Sequence, residues 1–261
     1  MILIRGAGDI ASGIAVRLYR AGFTLAMTDL QKPTAIRRTV CFSEAVIHGA
    51  CTVEDITAER AASREEARDI WQRGHIPVFA DDEGTALSLL QPEAVVDARL
   101  AKVNTDTSLS DAPIVVAVGP GFTAGRDCHA VVETQRGHYL GRAIYDGSAA
   151  TNTGVPGNIG GYTVERIVRA PRAGLFHPVH GIGDQVAADD IVAYVDEEPV
   201  RCQIAGTLRG ILPEGASVYE GMKSGDVDPR CQPDHCRCAS DKALAVGGGV
   251  LEALLHFGYR E

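Results

Sequence analysis

Short apolar runs alternate with a glycine turn and an amphipathic stretch over the first 30 residues. Residues 2–4 read Ile-Leu-Ile, a turn of sequence GAGDIA follows at residues 6–11, and apolar positions then recur at helical spacing to about residue 21. Gly22 stands where a helix commonly ends, and residues 23–28 form a second apolar run. The pattern predicts a strand, a turn, a helix and a second strand, in that order.

The same alternation continues through the first 150 residues. We predict further strands at residues 39–42, 76–79, 94–97, 114–118, 131–133 and 139–144, and helices at residues 43–48 and 65–73. Strands that alternate with helices favour parallel pairing. The expected fold class is therefore α/β, with a Rossmann-like, mostly parallel sheet in a nucleotide- or cofactor-binding domain over residues 1–168.

From residue 174 the pattern changes to short β-like runs separated by Gly, Asp and Pro. Gly183 and Val186 recur in spacing as Gly215 and Val218, which predicts a small β barrel-sandwich module of the biotinyl/lipoyl-like type over residues 169–230. The candidate hairpin tip, residues 196–199, contains no lysine. A biotin or lipoate carrier is therefore excluded, and a lid or structural module is expected.

Residues 231–261 are predicted to form a cysteine-containing loop and a last helix, from about residue 242 to 257, that packs back on the first domain. Three consecutive glycines, residues 247–249, fall inside this helix, where each costs roughly 1 kcal/mol relative to alanine. Two interpretations stay open. Either the glycines allow close approach of another element or ligand, or they break the helix.

The first candidate binding site is the turn after the first strand. Gly6 permits the turn, and Gly8 lets a phosphate approach the backbone at the start of a helix. Asp29 ends the second strand about 20 residues later, where an acid binds a ribose in nucleotide sites. Asp9 lies inside the turn and would repel a pyrophosphate, which argues against standard NAD binding.

Two further strand ends carry candidate residues. Asp97 ends one buried strand and Lys102 follows it closely, while three glycines form a possible anion nest after the next strand. Polar residues in the following hairpin would hold a second anionic group, or the hairpin is simply surface with salt bridges. The candidates in the glycine loop and hairpin are Gly119, Gly121, Gly125, Arg136 and His138.

The seven cysteines are an odd number, and the N-terminus has no export signal pattern, so a reducing, cytoplasmic compartment is expected. Cys231, Cys236 and Cys238 cluster beside a histidine and form a candidate site for zinc, an iron–sulfur unit or a soft transition metal. Their spacing is not that of a zinc finger. Redox chemistry or an exposed loop without a function are the alternatives.

Charge and hydropathy exclude several classes of function. The formal net charge of −9 argues against a general nucleic-acid binder, which needs a surface that neutralises phosphates. No apolar run reaches the roughly 18 residues of a membrane-spanning helix. Aromatic residues make up only 5% of the chain, so the core must be built from Ala, Val, Ile and Leu. Base rates for oligomers favour a twofold homodimer.

Linked motifs along nearly the whole chain resemble the YqeB family. They are LIRGAGDIASG (3–13), RTVCFSEAV (38–46), VVDARLAK (95–102), GPGFTAG (119–125), ETQRGHYLGR (133–142), TNTGVPGNIGGY (151–162), GDVDPR (225–230) and SDKALAVGGGVLEAL (240–254). The first domain is also distantly similar to the XdhC/CoxI accessory proteins of molybdenum hydroxylases.

The resemblance implies an accessory protein for maturation or insertion of the molybdenum cofactor in a selenium-dependent molybdenum hydroxylase. It implies the molybdenum cofactor or a nucleotide as the phosphorylated ligand and the hydroxylase as the partner, and it assigns no catalytic residue. An NAD-dependent oxidoreductase and a non-enzymatic scaffold that docks on the hydroxylase are the alternatives.

Overall fold

The computed structural model describes residues 1–260, which form two compact units. The first unit comprises residues 1–33, residues 41–153 and the chain from residue 239 onward. The second comprises residues 34–40 and 154–238. The domain limits predicted from the sequence, after residues 168 and 230, concern parts of the chain that would fold independently. They stay a prediction.

The first unit is built on a nine-stranded sheet. Its strands are β1 (Ile2–Arg5), β2 (Leu25–Asp29), β3 (Ala50–Val53), β4 (Ile56–Ala61), β5 (Ile76–Ala80), β6 (Ala94–Asp97), β7 (Ile114–Val118), β8 (Ala130–Val132) and β9 (Ala143–Ile144). Their order across the sheet is β3-β4-β5-β2-β1-β6-β7-β8-β9. Pairing is parallel from β4 to β8, and β3 and β9 are antiparallel strands at the two edges.

Five helices accompany this sheet in the described part of the chain. They are α1 (Asp9–Arg20), α2 (Glu44–His48), α3 (Arg64–Gln72), α4 (Thr85–Leu90) and α5 (Asp241–His256). In α1 the apolar residues Ile10, Ile14 and Leu18 recur every four positions and are buried. The Ser240 hydroxyl caps α5 by accepting a hydrogen bond from the Ala243 amide.

Small residues allow α1 and α5 to pack closely. A Cβ added at Gly13 of α1 would lie 2.4 Å from the Cβ of Ala243, and one at Gly247 would lie 3.2 Å from the carbonyl oxygen of Gly13. The triplet at residues 247–249 therefore lies inside a continuous helix, and Gly247 and Gly249 allow close approach of other elements, whereas Gly248 faces open space. This outcome decides between the two interpretations that the sequence left open.

The second unit contains two four-stranded antiparallel sheets. One has the order β10-β17-β15-β12 and the other β14-β13-β11-β16. The strands are β10 (Ile167–Arg169), β11 (Gly174–Pro178), β12 (Gln185–Val186), β13 (Ile191–Val195), β14 (Glu198–Arg201), β15 (Gly206–Ile211), β16 (Ala216–Val218) and β17 (Lys223–Asp228). Phe176, Leu208 and Ile211 are among its fully buried side chains.

The predicted fold class, a Rossmann-like sheet with a small barrel-sandwich module, is wrong. The structure is mixed α/β, with one large, mostly parallel sheet edged by antiparallel strands and two separate antiparallel sheets. The matching spacing around Gly183 and Gly215 reflects two similar turns, but the adjoining strands β12 and β16 belong to different sheets. A local repeat reports turn geometry, and it does not report which strands pair.

Individual elements agree better with the sequence pattern. The first strand, helix and second strand, the strands at residues 76–80, 94–97 and 114–118, and the last helix are confirmed within a few residues. The predicted strand at residues 39–42 is wrong, because Arg38–Val40 forms a 3₁₀ turn, and the hairpin of β3 and β4 was missed. No helix within residues 1–260 is long and apolar enough to cross a membrane.

Candidate functional site

The turn at residues 6–8 joins β1 to α1 at the carboxyl end of the parallel strands. Gly6 has a φ of +105°, and a Cβ there would lie 3.0 Å from the carbonyl oxygen of Ala98. The Ala98 amide in turn donates to the carbonyl of Arg5 at 2.8 Å. Glycine is therefore required at position 6 for conformation and for close packing on the loop after β6.

Gly8 is the N-cap residue of α1, and it faces open space. Its φ of −73° suits any residue, no side chain caps the helix, and no atom lies within 4 Å of the position that a Cβ would take. Amides and the positive dipole end at a helix N-terminus attract anions. Asp9, the first residue of α1, is half-buried and adds a negative charge at this end.

Asp29 ends β2 and fastens the turn. Its Oδ2 accepts a hydrogen bond from the Ala7 amide at 2.9 Å, and its Oδ1 accepts one from the Leu30 amide at 2.8 Å. Burial raises the pKa of Asp29, although these two backbone hydrogen bonds oppose the shift. The predicted ribose-binding acid thus contacts the glycine turn directly, and its main visible role is to hold the Ala7 peptide.

Asp97 is the centre of a network of charged and polar side chains. It is 1% exposed and accepts hydrogen bonds from the Arg99 guanidinium and the Thr107 hydroxyl, each at 2.6 Å. Arg5 donates to the same hydroxyl at 3.0 Å, and Arg5 and Arg99 both pair with Asp106. In this arrangement Asp97 fixes the loop after β6 instead of facing solvent.

The sequence pattern identified Asp97 but not the four other residues of its network, Arg5, Arg99, Asp106 and Thr107. Arg5 at the end of β1 and Arg99 two residues after β6 are both arginines at carboxyl strand ends, a signal that was present in the sequence. Asp106 and Thr107 lie in a loop without a recognisable pattern. Only the paired strands β1 and β6 bring Arg5 to this loop.

Lys102 lies beside the glycine turn at residues 119–121, which follows β7. Its φ is +70°, its side chain is exposed, and partial desolvation lowers its pKa. A Cβ at Gly121 would lie 2.7 Å from the Cα of Val103, and one at Gly119 would lie 2.9 Å from the Thr134 hydroxyl. The segment after β6 therefore packs on the turn after β7, so the structure brings Lys102, Gly119 and Gly121 together.

The other hairpin candidates have different neighbours. The Gly125 amide donates to the Cys128 carbonyl at 2.8 Å, and the Arg136 guanidinium pairs with both carboxylate oxygens of Asp241 at 2.8 and 2.9 Å. His138 is exposed and packs edge-on against Tyr139. These contacts are with the hairpin itself and with α5, and they do not place the three residues at the turn of residues 6–8.

A buried glutamate fastens the glycine-rich loop that follows β9. Glu133 is 6% exposed and accepts hydrogen bonds from the amides of Gln135 at 2.6 Å and Ala150 at 2.7 Å. The hydroxyls of Thr123 and Ser148 also lie 2.9 Å apart. The start of this loop is thereby held against the turn after β7.

The three clustered cysteines lie in the second unit. Cys236 is buried, which raises its thiol pKa, whereas Cys231 and Cys238 are exposed. Their sulfurs approach backbone carbonyls, those of Pro229 and Asp234 respectively. Within residues 1–260, no group of three or more His, Cys, Asp or Glu side chains is arranged to hold a metal ion. A metal role for these cysteines stays a prediction.

The second unit also has a buried ion network that sequence reasoning missed. Arg166 and Arg209 pair with the two oxygens of Asp226 at 2.8 and 2.6 Å, and Asp226 is 2% exposed. Asp228, two residues later on β17, pairs with Arg209 at 3.3 Å and with Arg230 at 2.7 Å. The motif GDVDPR therefore supplies both acids of this network.

Comparison with known proteins gives one strong match along the sequence. The chain is 51% identical over 255 residues, 98% of its length, to the YqeB protein of Escherichia coli (strain K12), which is described as uncharacterized. It is a YqeB-family protein. The chain spans 47% of that relative, about half of its length. No family model matches this YqeB-family chain.

Three solved structures overlap weakly with it. A succinylglutamate desuccinylase/aspartoacylase from Rhodobacter sphaeroides is 25% identical over 24% of this chain and 22% of its own, with a TM-score of 0.22. An aspartoacylase family protein from Mesorhizobium loti and the ectoine utilization protein EutE (DoeB) from Ruegeria pomeroyi are each 12% identical over 87% of this chain and 84% of their own, with TM-scores of 0.28. Overlap this weak supports no inference about activity.

Acid should weaken the network around Asp97 in this YqeB-family chain. Burial alone would raise the pKa of Asp106, but hydrogen bonds from Arg99 and Arg5 lower it from 3.8 to about 2. A carboxyl whose pKa is lower in the folded state stabilises the fold above its unfolded pKa, and this contribution is lost as the pH falls. We expect the free energy of unfolding to decrease between about pH 4 and pH 2, and Asp106→Asn to reduce that decrease.

Urea unfolding followed by circular dichroism at pH 7, 4, 3 and 2 measures this effect. Asp106→Asn should be less stable than the wild type at pH 7 and approach it at pH 2. Glu83→Gln, which removes an exposed carboxylate without an ion pair in the described chain, is the control. Equal acid sensitivity of Asp106→Asn and the wild type would contradict the expectation.

Proposed function

We propose that this chain binds a phosphorylated pterin or nucleotide at the carboxyl end of its parallel strands, and that it acts in maturation or insertion of the molybdenum cofactor of a selenium-dependent molybdenum hydroxylase. The observation that carries the binding proposal is the open space at Gly8, beside the N-terminus of α1. A ligand oxygen can occupy the space that a side chain at position 8 would fill. Amides of the first helical turn supply the donors.

The neighbouring residues suit a ligand with more than one polar group. Lys102 provides an exposed ammonium group beside the turn at residues 119–121, where it can pair with a second anionic group. Each carboxylate oxygen of Asp29 accepts one hydrogen bond from a backbone amide and has a second lone pair. These second lone pairs can accept a hydrogen bond from a ligand hydroxyl. The phosphate of a pterin cofactor fits this set, and in this proposal the cofactor is cargo of the protein.

The physiological role is supported by the linked motifs along the chain. The motifs at residues 3–13, 95–102 and 119–125 contribute the glycine turns and Asp97–Lys102 loop described above. Their resemblance to the accessory family suggests the molybdenum cofactor as the ligand and the hydroxylase as the partner. The cofactor-maturation proposal and its two alternatives, an NAD-dependent oxidoreductase and a scaffold without a ligand, differ in the ligands that the chain would bind. One set of titrations therefore separates the three.

Gly8→Asp tests the site. Aspartate is a favoured N-cap residue, and its carboxylate would accept the α1 amides itself, so we expect a folded variant that binds anions at least tenfold more weakly, about 1.4 kcal/mol. Isothermal titration calorimetry of the wild type and the variant would use molybdenum cofactor under anaerobic conditions, ADP, NAD and inorganic pyrophosphate.

Gln203→Glu adds the same charge to an exposed position of the second unit and should bind like the wild type. Binding of the cofactor or ADP that is lost in Gly8→Asp supports the proposal. NAD binding alone favours the oxidoreductase. Absence of binding to all four probes by the wild type favours the scaffold and rejects the proposed site.

A further inference from the structure

Two arginines lie where the strand order of the large sheet reverses. Arg5 ends β1 and Arg99 follows β6 by two residues, while the sheet places β2 to β5 on one side of β1 and β6 to β9 on the other. Ligands of open parallel sheets bind outside the carboxyl ends of the strands at such a point. A Cβ at Gly6 would lie 3.1 Å from the Arg99 amide nitrogen, so both arginines adjoin the turn at residues 6–8.

The carboxylate of Asp106 bridges the two guanidiniums. Arg5 donates through Nη2 to Oδ2 of Asp106 and Arg99 donates through Nη2 to Oδ1, each at 2.5 Å. The side chain of Arg5 is only 9% exposed, whereas that of Asp106 is 50% exposed. A largely buried cation therefore pairs with an acid that water and solutes can reach.

Other acids hold both guanidiniums in place. The buried Asp97 accepts hydrogen bonds from Nε and Nη2 of Arg99, and Nη1 of Arg5 lies 3.6 Å from Oδ2 of Asp111. Each arginine thus has a second acid that balances its charge. If Asp106 moved away, the two Nη2 groups would still converge on the position that its carboxylate occupies, which is the geometry of a preformed site for an oxyanion.

A glycine of the neighbouring loop lies beside this position. A Cβ at Gly84, between β5 and α4, would lie 3.8 Å from Nη2 of Arg5 and 3.9 Å from Oδ2 of Asp106. Gly84 has a φ of +74°, which favours glycine, and it brings no side chain against the Asp106 carboxylate.

We infer that the Asp106 carboxylate occupies an oxyanion subsite between Arg5 and Arg99, and that a phosphate group of the ligand displaces it on binding. This inference rests on the proposed function and deepens it, since it names two residues that bind an anionic group and the internal group that competes for them. The displacement exchanges one anion for another, so neither guanidinium loses a counter-ion. The released carboxylate passes into water, where its charge is solvated.

Asp106→Ala removes this internal competitor. The variant should bind inorganic pyrophosphate and ADP about five- to tenfold more tightly than the wild type. It should also unfold at a lower urea concentration, because it loses both ion pairs of Asp106. Affinity and stability would then change in opposite directions, which a purely structural ion pair would not produce. Isothermal titration calorimetry and urea unfolding measure the two quantities.

Glu83→Gln is the matched control, since it removes one exposed carboxylate next to Gly84 and should keep the affinity of the wild type. Arg99→Lys, introduced into Asp106→Ala, keeps a cation opposite Asp97 but removes the forked guanidinium. This double variant should lose the gain in affinity.

Wild-type or weaker affinity in Asp106→Ala would overturn the inference, and the proposed function would still be decided by Gly8→Asp. An equal gain in Glu83→Gln would also overturn it, because the gain would then reflect overall charge. Tighter binding by Asp106→Ala together with wild-type affinity in Gly8→Asp would support the subsite and reject the site at Gly8. If neither the wild type nor Asp106→Ala binds pyrophosphate or ADP, both proposals are overturned.

Discussion

Gly249→Ala should destabilise the first unit by at least about 2 kcal/mol, even though alanine is the better helix former. A Cβ at this position of α5 would lie 2.0 Å from the carbonyl oxygen of Gly141 and 2.8 Å from a methyl group of Val132. A backbone carbonyl cannot rotate away as a flexible side chain can. Relief would require α5 to shift away from the hairpin after β8, with loss of packing on both sides.

Gly248→Ala is the matched control, one residue earlier in the same helix. No atom lies within 4 Å of the position of its added Cβ, so only the backbone effect remains. We expect this variant to be more stable than the wild type by about 0.5–1 kcal/mol. Urea unfolding of the two variants in parallel measures the difference, and a Gly249→Ala variant as stable as Gly248→Ala would show that α5 is not held this closely.

Asp226→Asn should destabilise the second unit by about 3–5 kcal/mol. Asp226 accepts from the buried guanidinium of Arg166 and the mostly buried guanidinium of Arg209, one on each carboxylate oxygen. Asparagine keeps the shape while removing the charge. Its amide nitrogen would also point a donor at one of the two arginine side chains. Buried charge left without its counter-ion is among the most damaging changes in a protein interior.

The control for this variant is Glu197→Gln, which neutralises an exposed carboxylate on the same unit. Its free energy of unfolding should stay within about 0.5 kcal/mol of the wild type. Thermal unfolding followed by circular dichroism measures both variants. If Asp226→Asn and Glu197→Gln unfold at the same midpoint temperature, the ion network around Asp226 contributes little to stability.

The features that the sequence predicted are those that depend on residues close together in the chain. Apolar periodicity located β1, α1 and β2, and the glycine spacing located the turn that Asp29 contacts. Lys102 and Gly121 each follow a predicted strand, and they lie close together because β6 and β7 pair in parallel and present their carboxyl ends at one edge of the sheet. These relations follow from local pattern and from strand direction.

The parts that could not be predicted depend on pairing over long distances. Arg166 and Asp226 are 60 residues apart, and nothing in either segment identifies the other as its partner. Ser43 was predicted at the start of a short helix, and it directly precedes α2. The sequence does not show that its buried hydroxyl lacks a hydrogen-bond partner among the described residues, because this depends on packing alone. The fold class was wrong for the same reason, since spacing located strands without showing which sheets they join.

The packing of α5 on α1 has a consequence for synthesis of the chain. Ala243 covers Gly13, so α1 receives this neighbour only after residues 230 positions further along the sequence have been synthesised. Contacts between segments so distant along the chain slow folding, because the loop must close before the contact stabilises it. Until then the surface of α1 around Gly13 lacks the contact that covers it in the folded chain.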